Sequence, residues 1–414
     1  MLGVATVMGI ETERMDYAER TELGAMPAPE EIPHLVAESL ERFFRNQDST
    51  IAAIGEPVSR TVGMLEQYVL GGGKRIRPLY AWAGFLAGCG PTADDMCFST
   101  PGNAHFTKTN DTDNHVGKDQ PRLPEKIDAV INAISSLELI QACALIHDDI
   151  IDSSDTRRGN PTVHRVAERR HMDRGWLGDS GHFGHSVGIL VGDLAMVWAD
   201  DLFHGSGLSS AALSRALPAW RGMRTEVIGG QLLDITVEAS GSEDIDMAHT
   251  VNRFKTAAYT IERPLHIGAS IAGASDAVIT ALRAYGTDIG VAFQLRDDQL
   301  GVFGDPSVTG KPAGDDLREG KRTVLVATAL ALAEAQGDHP TAALIRSGLG
   351  RVTSPEAIAE LTEAIRVTGA AEDVEKQISM LTDAGLAHLD SVDLPESARK
   401  LLHVLADRAT ARHT

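Results

Sequence analysis

The chain has 414 residues, with 38 Lys and Arg against 58 Asp and Glu, so its formal net charge is −20. Apolar residues make up 43% of it and aromatic residues 5%, which supplies a large core and favours helices over aromatic-rich sheets. The acidic balance argues against nucleic acid and against a polybasic hold on anionic lipid. Taken at face value, it argues against phosphorylated ligands too. Cys89, Cys97 and Cys143 form no CxxC pair, which fits a reduced, cytoplasmic setting. The N-terminus lacks a basic n-region and reads as a non-signal extension. The apolar stretches 139–147 and 187–198 are interrupted by Gln141 and Asp193, so no transmembrane segment is expected.

In chain order, residues 1–30 read as a loose, disordered extension. Leu35, Val36, Leu40, Phe43 and Phe44 then recur with helical period. A second helix near 51–70 should stop at Gly71-Gly72-Gly73, and Pro78 can sit in the first turn of the next. Residues 91–125 carry little apolar material and no period, and read as a flexible polar insertion. Helical patterning resumes at Ile127 and ends at the acidic cluster around Asp152. Further helices are expected over 184–203, 209–240, 247–273, 275–304, 321–336, 340–346, 354–387 and 395–411. No alternating strands and no repeat of fixed period appear. The expectation is one all-α domain over 31–414.

Asp148-Asp149-Ile150-Ile151-Asp152 closes an apolar helix. Positions i and i+4 share a helix face, so Asp148 and Asp152 form a carboxylate pair whose repulsion a hard divalent cation would relieve. Asp297-Asp298 ends a second apolar helix, but Gly301 stands where a third aspartate would complete the triad. Basic turns alternate with these ends: Gly71-Gly72-Gly73-Lys74-Arg75-Ile76-Arg77, then Arg157-Arg158-Gly159, then Gly310-Lys311 and Gly320-Lys321-Arg322. None has P-loop spacing. Glycines admit close backbone approach, and Lys and Arg donate to phosphate oxygens. Together the acidic ends and basic turns describe a site where metal and cations hold phosphate. His147, His164, His171, His182, His185 and His266 read as structural histidines.

GGGKRIRP, LIHDDIIDSSDTRRGNPTVH, FKT and FQLRDDQLGVFGDPSVTGKPAGDDLREGKRT, in this order, resemble the trans-isoprenyl diphosphate synthases of the polyprenyl synthetase family. RHMDRGWLGD, HFGHSVGILVGDLA and RTEVIGGQLLD are most similar to its bacterial geranylgeranyl diphosphate synthases. The resemblance implies an isoprenoid synthase-type helical bundle around a deep central cavity. It also implies Mg²⁺-dependent head-to-tail condensation of isopentenyl diphosphate with an allylic diphosphate (dimethylallyl, geranyl or farnesyl), in a homodimer.

By the same resemblance, Asp148, Asp149, Asp152, Asp297 and Asp298 bind Mg²⁺, three ions in all with substrate bound. Arg157, Lys255, Lys311 and Lys321 grip the allylic diphosphate, and Lys74, Arg77, Gln141 and Arg158 hold isopentenyl diphosphate. The Thr256 backbone and the Gln294 side chain, beside Lys255, stabilise the allylic cation. Cys143 and Ala144, one turn before Asp148, are small and leave room for a twenty-carbon product, geranylgeranyl diphosphate. The alternatives are a farnesyl or longer-chain synthase, or a non-catalytic regulatory subunit of a heteromeric enzyme. A terpene cyclase fits less well, because the second acidic site lacks the cyclase pattern.

Overall fold

The computed structural model describes residues 26–90, 123–157, 159–304 and 314–411. Helix α1 spans Ile32–Ile54, α2 Glu56–Leu70 and α3 Ile76–Gly88. After the polar segment come α4 (Ile127–Ile151) and a short antiparallel hairpin, β1 (Thr156–Arg157) with β2 (Asn160–Pro161). Helices α5 (Val163–Asp173), α6 (Ser180–His204), α7 (Ser210–Ser240) and α8 (Ile245–Val251) follow. A π-helical segment, Asn252–Glu262, leads into α9 (Arg263–Ala272) and α10 (Asp276–Phe303). The C-terminal part holds α11 (Asp315–Glu319), α12 (Val324–Ala335), α13 (His339–Gly348), α14 (Pro355–Val367), α15 (Ala370–Asp390) and α16 (Glu396–Thr410). The all-helical expectation holds.

Helix starts follow local capping chemistry. The side chains of Asp179, Ser209, Ser275, Thr323 and Ser354 each accept a hydrogen bond from a first-turn backbone N–H, which stabilises each start by about 1 kcal/mol. Helix α4 runs through the middle of the bundle and packs along α6. It is the one described helix long and apolar enough to cross a membrane, and 78% of its apolar window is buried inside the protein. Two apolar clusters result: a main core around Trp82, Phe85, Leu139, Trp198 and Trp220, and a C-terminal one around Leu295, Leu330, Ile345 and Ile365. Helix α16 is tied to the main core by Tyr80 and Tyr285, whose hydroxyls donate to the carbonyls of Leu405 and Leu402 at 3.3 and 2.7 Å.

Several boundaries differ from the sequence reading. The expected disordered extension includes residues 26–30, yet Met26 is 8% exposed and belongs to the main core. Gly55, at φ 137°, separates α1 from α2. The stretch 354–387 is two helices, because Gly369 takes a left-handed φ of 84° between them. The stretch 247–273 contains the π-helical segment rather than one continuous α-helix. Most of the 91–125 insertion lies outside the described residues.

Helices α3 and α9 cross backbone to backbone. A Cβ at Gly268 would lie 1.8 Å from the Ala81 carbonyl oxygen, and one at Gly84 would lie 2.2 Å from that of Leu265. This crossing holds Arg77 on α3 against the π-helical segment that continues into α9. Gly268→Ala should therefore cost about 3 kcal/mol of stability by overpacking. Gly63→Ala, with nothing within 4 Å of its added methyl, should gain ~0.5–1 kcal/mol. Denaturant midpoints of the two variants check the contrast.

Candidate active site

A cavity of about 1580 Å³ opens at the C-terminal end of α4. Because α4 is buried along its length, its last turn brings Asp148, Asp149 and Asp152 into a largely desolvated mouth. Cations from three separate elements meet them. Arg157 of the hairpin donates from Nε to Asp149 at 2.5 Å and from Nη2 to Asp148 at 3.3 Å. Lys255 of the π-helical segment sits 3.1 Å from Asp148 and bonds Asp234 of α7. Lys321 bonds Asp152 at 2.6 Å, and the Gln231 amide donates to Asp148 at 3.2 Å. Burial works against ionisation of Asp148, but Lys255, Lys321 and Arg157 outweigh it and hold the carboxyl below its usual range. Asp149 goes the other way, raised to about 6 by burial against the pull of Arg157.

The opposite wall comes from α10 and α11. Asp297 is exposed to the cavity, whereas Asp298 is turned inward and is 3% exposed. Gln294 and Asn252 donate to Asp298 at 2.7 and 3.3 Å. Burial nevertheless raises its pKa to about 8, with Asp316 and Asp297 adding repulsion. Gly301 acquires a reason here. A Cβ at this position would lie 2.0 Å from Oδ2 of Asp316, so the absent side chain makes room for a carboxylate delivered from α11.

The basic turn before α3 divides its labour. Arg75 adopts a left-handed φ of 47° and is 6% exposed. It donates to Glu138 of α4 at 2.5 Å and to the Val69 carbonyl at 2.6 Å. Arg75 is thus an anchor that pins the turn, while Lys74 and Arg77 line the cavity. Arg77 donates to the Thr260 hydroxyl at 2.9 Å and lies 4.1 Å over the Tyr259 ring. A smaller cavity of about 750 Å³, between residues 26–33 and α16, shares Lys74, Ile76, Thr260 and Phe293 with the larger one.

Away from the charges, the main cavity turns apolar. Cys143 and Ala144 line it one turn from Asp148, with Ile140, Met196 and Val227. Burial, reinforced by Asp193, pushes the Cys143 thiol up to about 12, so it stays neutral. His147 is occupied structurally: Nε2 contacts the Ile189 carbonyl at 3.1 Å, and Nδ1 faces the Cys143 sulfur at 3.7 Å.

Residues 59–365 match the Polyprenyl synthetase family. The chain belongs to that family. It is 57% identical to geranylgeranyl pyrophosphate synthase from Corynebacterium glutamicum, whose structure was solved in complex with isoprenyl diphosphate and magnesium. The match covers 92% of this chain and 99% of that one, with a TM-score of 0.82. It is 38% identical over 197 residues to geranylfarnesyl diphosphate synthase from Aeropyrum pernix, covering 46% of this chain and 56% of that one. A third relative, (2E,6E)-farnesyl diphosphate synthase from Mycobacterium tuberculosis, is 30% identical over 281 residues, covering 66% of this chain and 72% of that one. The resemblance read from the motifs is therefore a family relationship, and the protein is a prenyltransferase.

For this polyprenyl synthetase, one cavity brings together Lys74, Arg77, Gln141, Cys143, Ala144, Asp148, Asp152, Arg157, Lys255, Thr256, Gln294, Asp297, Asp298 and Lys321. Asp149 stands behind them, bonded to Arg157. Arg158 and Lys311 lie outside the described residues. Sequence reasoning missed Gln231, Asp234 and Asp316, which also line the cavity. Gln231 and Asp234 share a face of α7 at i, i+3, and Asp316 directly precedes the buried Leu317 five residues before Lys321. Magnesium dependence is general to the family, and the donors here suit it. They are carboxylate oxygens, which hard divalent ions prefer, and Oδ2 of Asp149 is buried without a hydrogen-bond partner. In this arrangement Lys255, Arg157 and Lys321 pair with Asp148, Asp149 and Asp152.

Arg75→Ala leaves Glu138 charged and buried. It should cost about 3–5 kcal/mol of stability and, by releasing the turn that carries Lys74 and Arg77, raise a substrate KM more than it lowers kcat. Thermal melts and steady-state kinetics read the two effects separately.

Proposed function

We propose that this enzyme condenses isopentenyl diphosphate with an allylic diphosphate to give geranylgeranyl diphosphate. The observation that carries the reading is the pair of acidic helix ends facing one cavity, with Arg157, Lys255 and Lys321 at its mouth and an apolar wall beneath. The allylic diphosphate would take these three cations, releasing Asp148 and Asp152 for metal. Magnesium, held by Asp148, Asp149, Asp152, Asp297 and Asp298 with Asp316 beside them, supplies charge stabilisation to the departing diphosphate. We read three ions with substrate bound, as the family resemblance implies.

Lys74, Arg77, Gln141 and Arg158 hold isopentenyl diphosphate, and Lys311 and Lys321 complete the allylic side. The allylic C1–O bond breaks and diphosphate departs, C4 of the isopentenyl double bond attacks the allylic C1, and the proton on C2 of the isopentenyl unit leaves to the diphosphate as the new double bond forms. Fixed dipoles stabilise the cation without forming a covalent adduct. The amide donor of Gln294 is engaged by Asp298, so its carbonyl oxygen is what it offers the cation, and Thr256 adds its backbone carbonyl. Exclusion of water protects the cation from quenching.

Chain length follows from the wall. From Asp148 to Ile140, both on the cavity, α4 rises about 12 Å, past the small side chains of Cys143 and Ala144. The family spans farnesyl to geranylfarnesyl products among the relatives above, and small residues at this level favour twenty carbons over fifteen. A non-catalytic subunit fits less well, since the acidic ends and basic turns are both complete enough to act.

The assembly is read as a homodimer. Ile189, Ile228 and Leu232 line the cavity yet are 48, 53 and 58% exposed, and Leu190 and Val197 beside them on α6 are 65 and 56% exposed. A second copy covering this stripe would close the wall. Three cysteines with no CxxC pair support a reduced, cytoplasmic location.

Incubation with Mg²⁺, isopentenyl diphosphate and each allylic primer should yield a twenty-carbon product by chromatography. Failure with every primer would reject the enzyme reading, and a fifteen-carbon end product would reject the assignment of length. Asp148→Ala should lower kcat by a factor of roughly 10³ or more with the fold intact by circular dichroism. Cys143→Phe should shorten the product. Leu190→Glu should shift sedimentation from dimer to monomer.

A further inference from the structure

We propose that the outer face of α5 and the loop after it form a docking surface for an anionic membrane. Helix α5 turns Val163, His164, Ala167 and His171 into the protein. Its outward face carries Val166 and Met172, 41 and 51% exposed, around the exposed Arg169. The following loop, Arg174-Gly175-Trp176-Leu177-Gly178, presents Trp176 at 42% and Leu177 at 98% exposure. Such a concentration of large apolar side chains on one surface marks an interaction site rather than ordinary exposure.

The loop is built to hold this display. Nε2 of the buried His171 meets the Leu177 carbonyl at 3.0 Å. The Trp176 ring stands edge-on to His171 and Phe183, with centroids 6.0 and 5.3 Å away, and the Arg170 guanidinium lies 5.5 Å over it. Gly175 and Gly178 take left-handed φ values of 61° and 91° on either side. With its backbone pinned, Leu177 points outward by construction.

Charge chooses the partner. Arg169, Arg170 and Arg174 gather here with Asp173 among them, whereas Arg165 is paired with Asp155 and Glu168. Burial lowers the pKa of Arg170, and the nearby Arg60 and Arg174 add repulsion to it. On a chain of net charge −20, this is a local reversal of sign. Arginine, tryptophan and an extended leucine on one amphipathic face is the chemistry of attachment at an anionic lipid interface. The whole-chain charge opposes such attachment, and the concentration of the arginines on one face overcomes it.

The test uses the full chain and vesicles of phosphatidylcholine with or without phosphatidylglycerol. Trp82, Trp198 and Trp220 are 0, 6 and 0% exposed, so brominated acyl chains should quench Trp176 alone. The expected result is co-sedimentation and quenching with the anionic vesicles only, weakened by salt. Leu177→Asp should weaken binding about tenfold or more, and Arg169→Gln about fivefold. Condensation of short substrates without vesicles should be unchanged in both. Absence of quenching, equal binding to both vesicle types, or undiminished binding by Leu177→Asp would overturn the proposal. So would conversion of a free dimer to monomer by Leu177→Asp, which would make the patch a subunit contact. These readouts do not depend on which prenyl product the enzyme makes.

Discussion

Three carboxylates at the end of one buried helix cannot face a desolvated cavity unless positive charge meets them. The rest of the site follows from that constraint. A hairpin of four paired residues exists to bring Arg157 back over Asp148 and Asp149. The π-helical segment offers Lys255, and the turn after α11 offers Lys321. Each cation comes from a different stretch of chain, so the acidic end also clamps the bundle around its own mouth. The same cations suit the diphosphate that the family handles. On the proposed reading, substrate binding would exchange the carboxylate partners of these cations for diphosphate oxygens within one network.

Backbone contact sets the positions of these groups. A Cβ at Gly230 of α7 would lie 2.2 Å from the Lys255 nitrogen, so α7 and the π-helical segment touch directly where the lysine emerges. The wider π turn re-aims consecutive side chains, as such segments often do at functional sites, and Lys255, Thr256, Tyr259 and Thr260 all reach the cavity. The crossing of α3 and α9 at Gly84 and Gly268 does the same for Arg77. The catalytic mouth is thus fixed by places where side chains are missing.

The helical class was legible because apolar residues recur with a period near 3.6 from Ile127 onward, and the acidic ends stood out because charge interrupts that period. Ion pairing across the cavity was not legible, since Asp234 looks like one polar residue on an amphipathic helix until Lys255 is seen against it. The basic turn showed three cations within four residues, and only the packing of Arg75 against Glu138 separates the anchor from the two that face the cavity. The net charge misled for a simple reason. A sum over the chain erases the cation clusters that meet the acidic helix ends, and it erases the arginines of α5 in the same way.

The second acidic site is spelled in two places. Its third carboxylate comes from Asp316, and the space that side chain occupies is the space Gly301 leaves empty. An aspartate at 301 would meet the carboxylate already there unless the Asp316 side chain swung aside. Where the aspartate-rich pattern has an acid at 301, this chain brings a carboxylate to the same space from fifteen residues downstream.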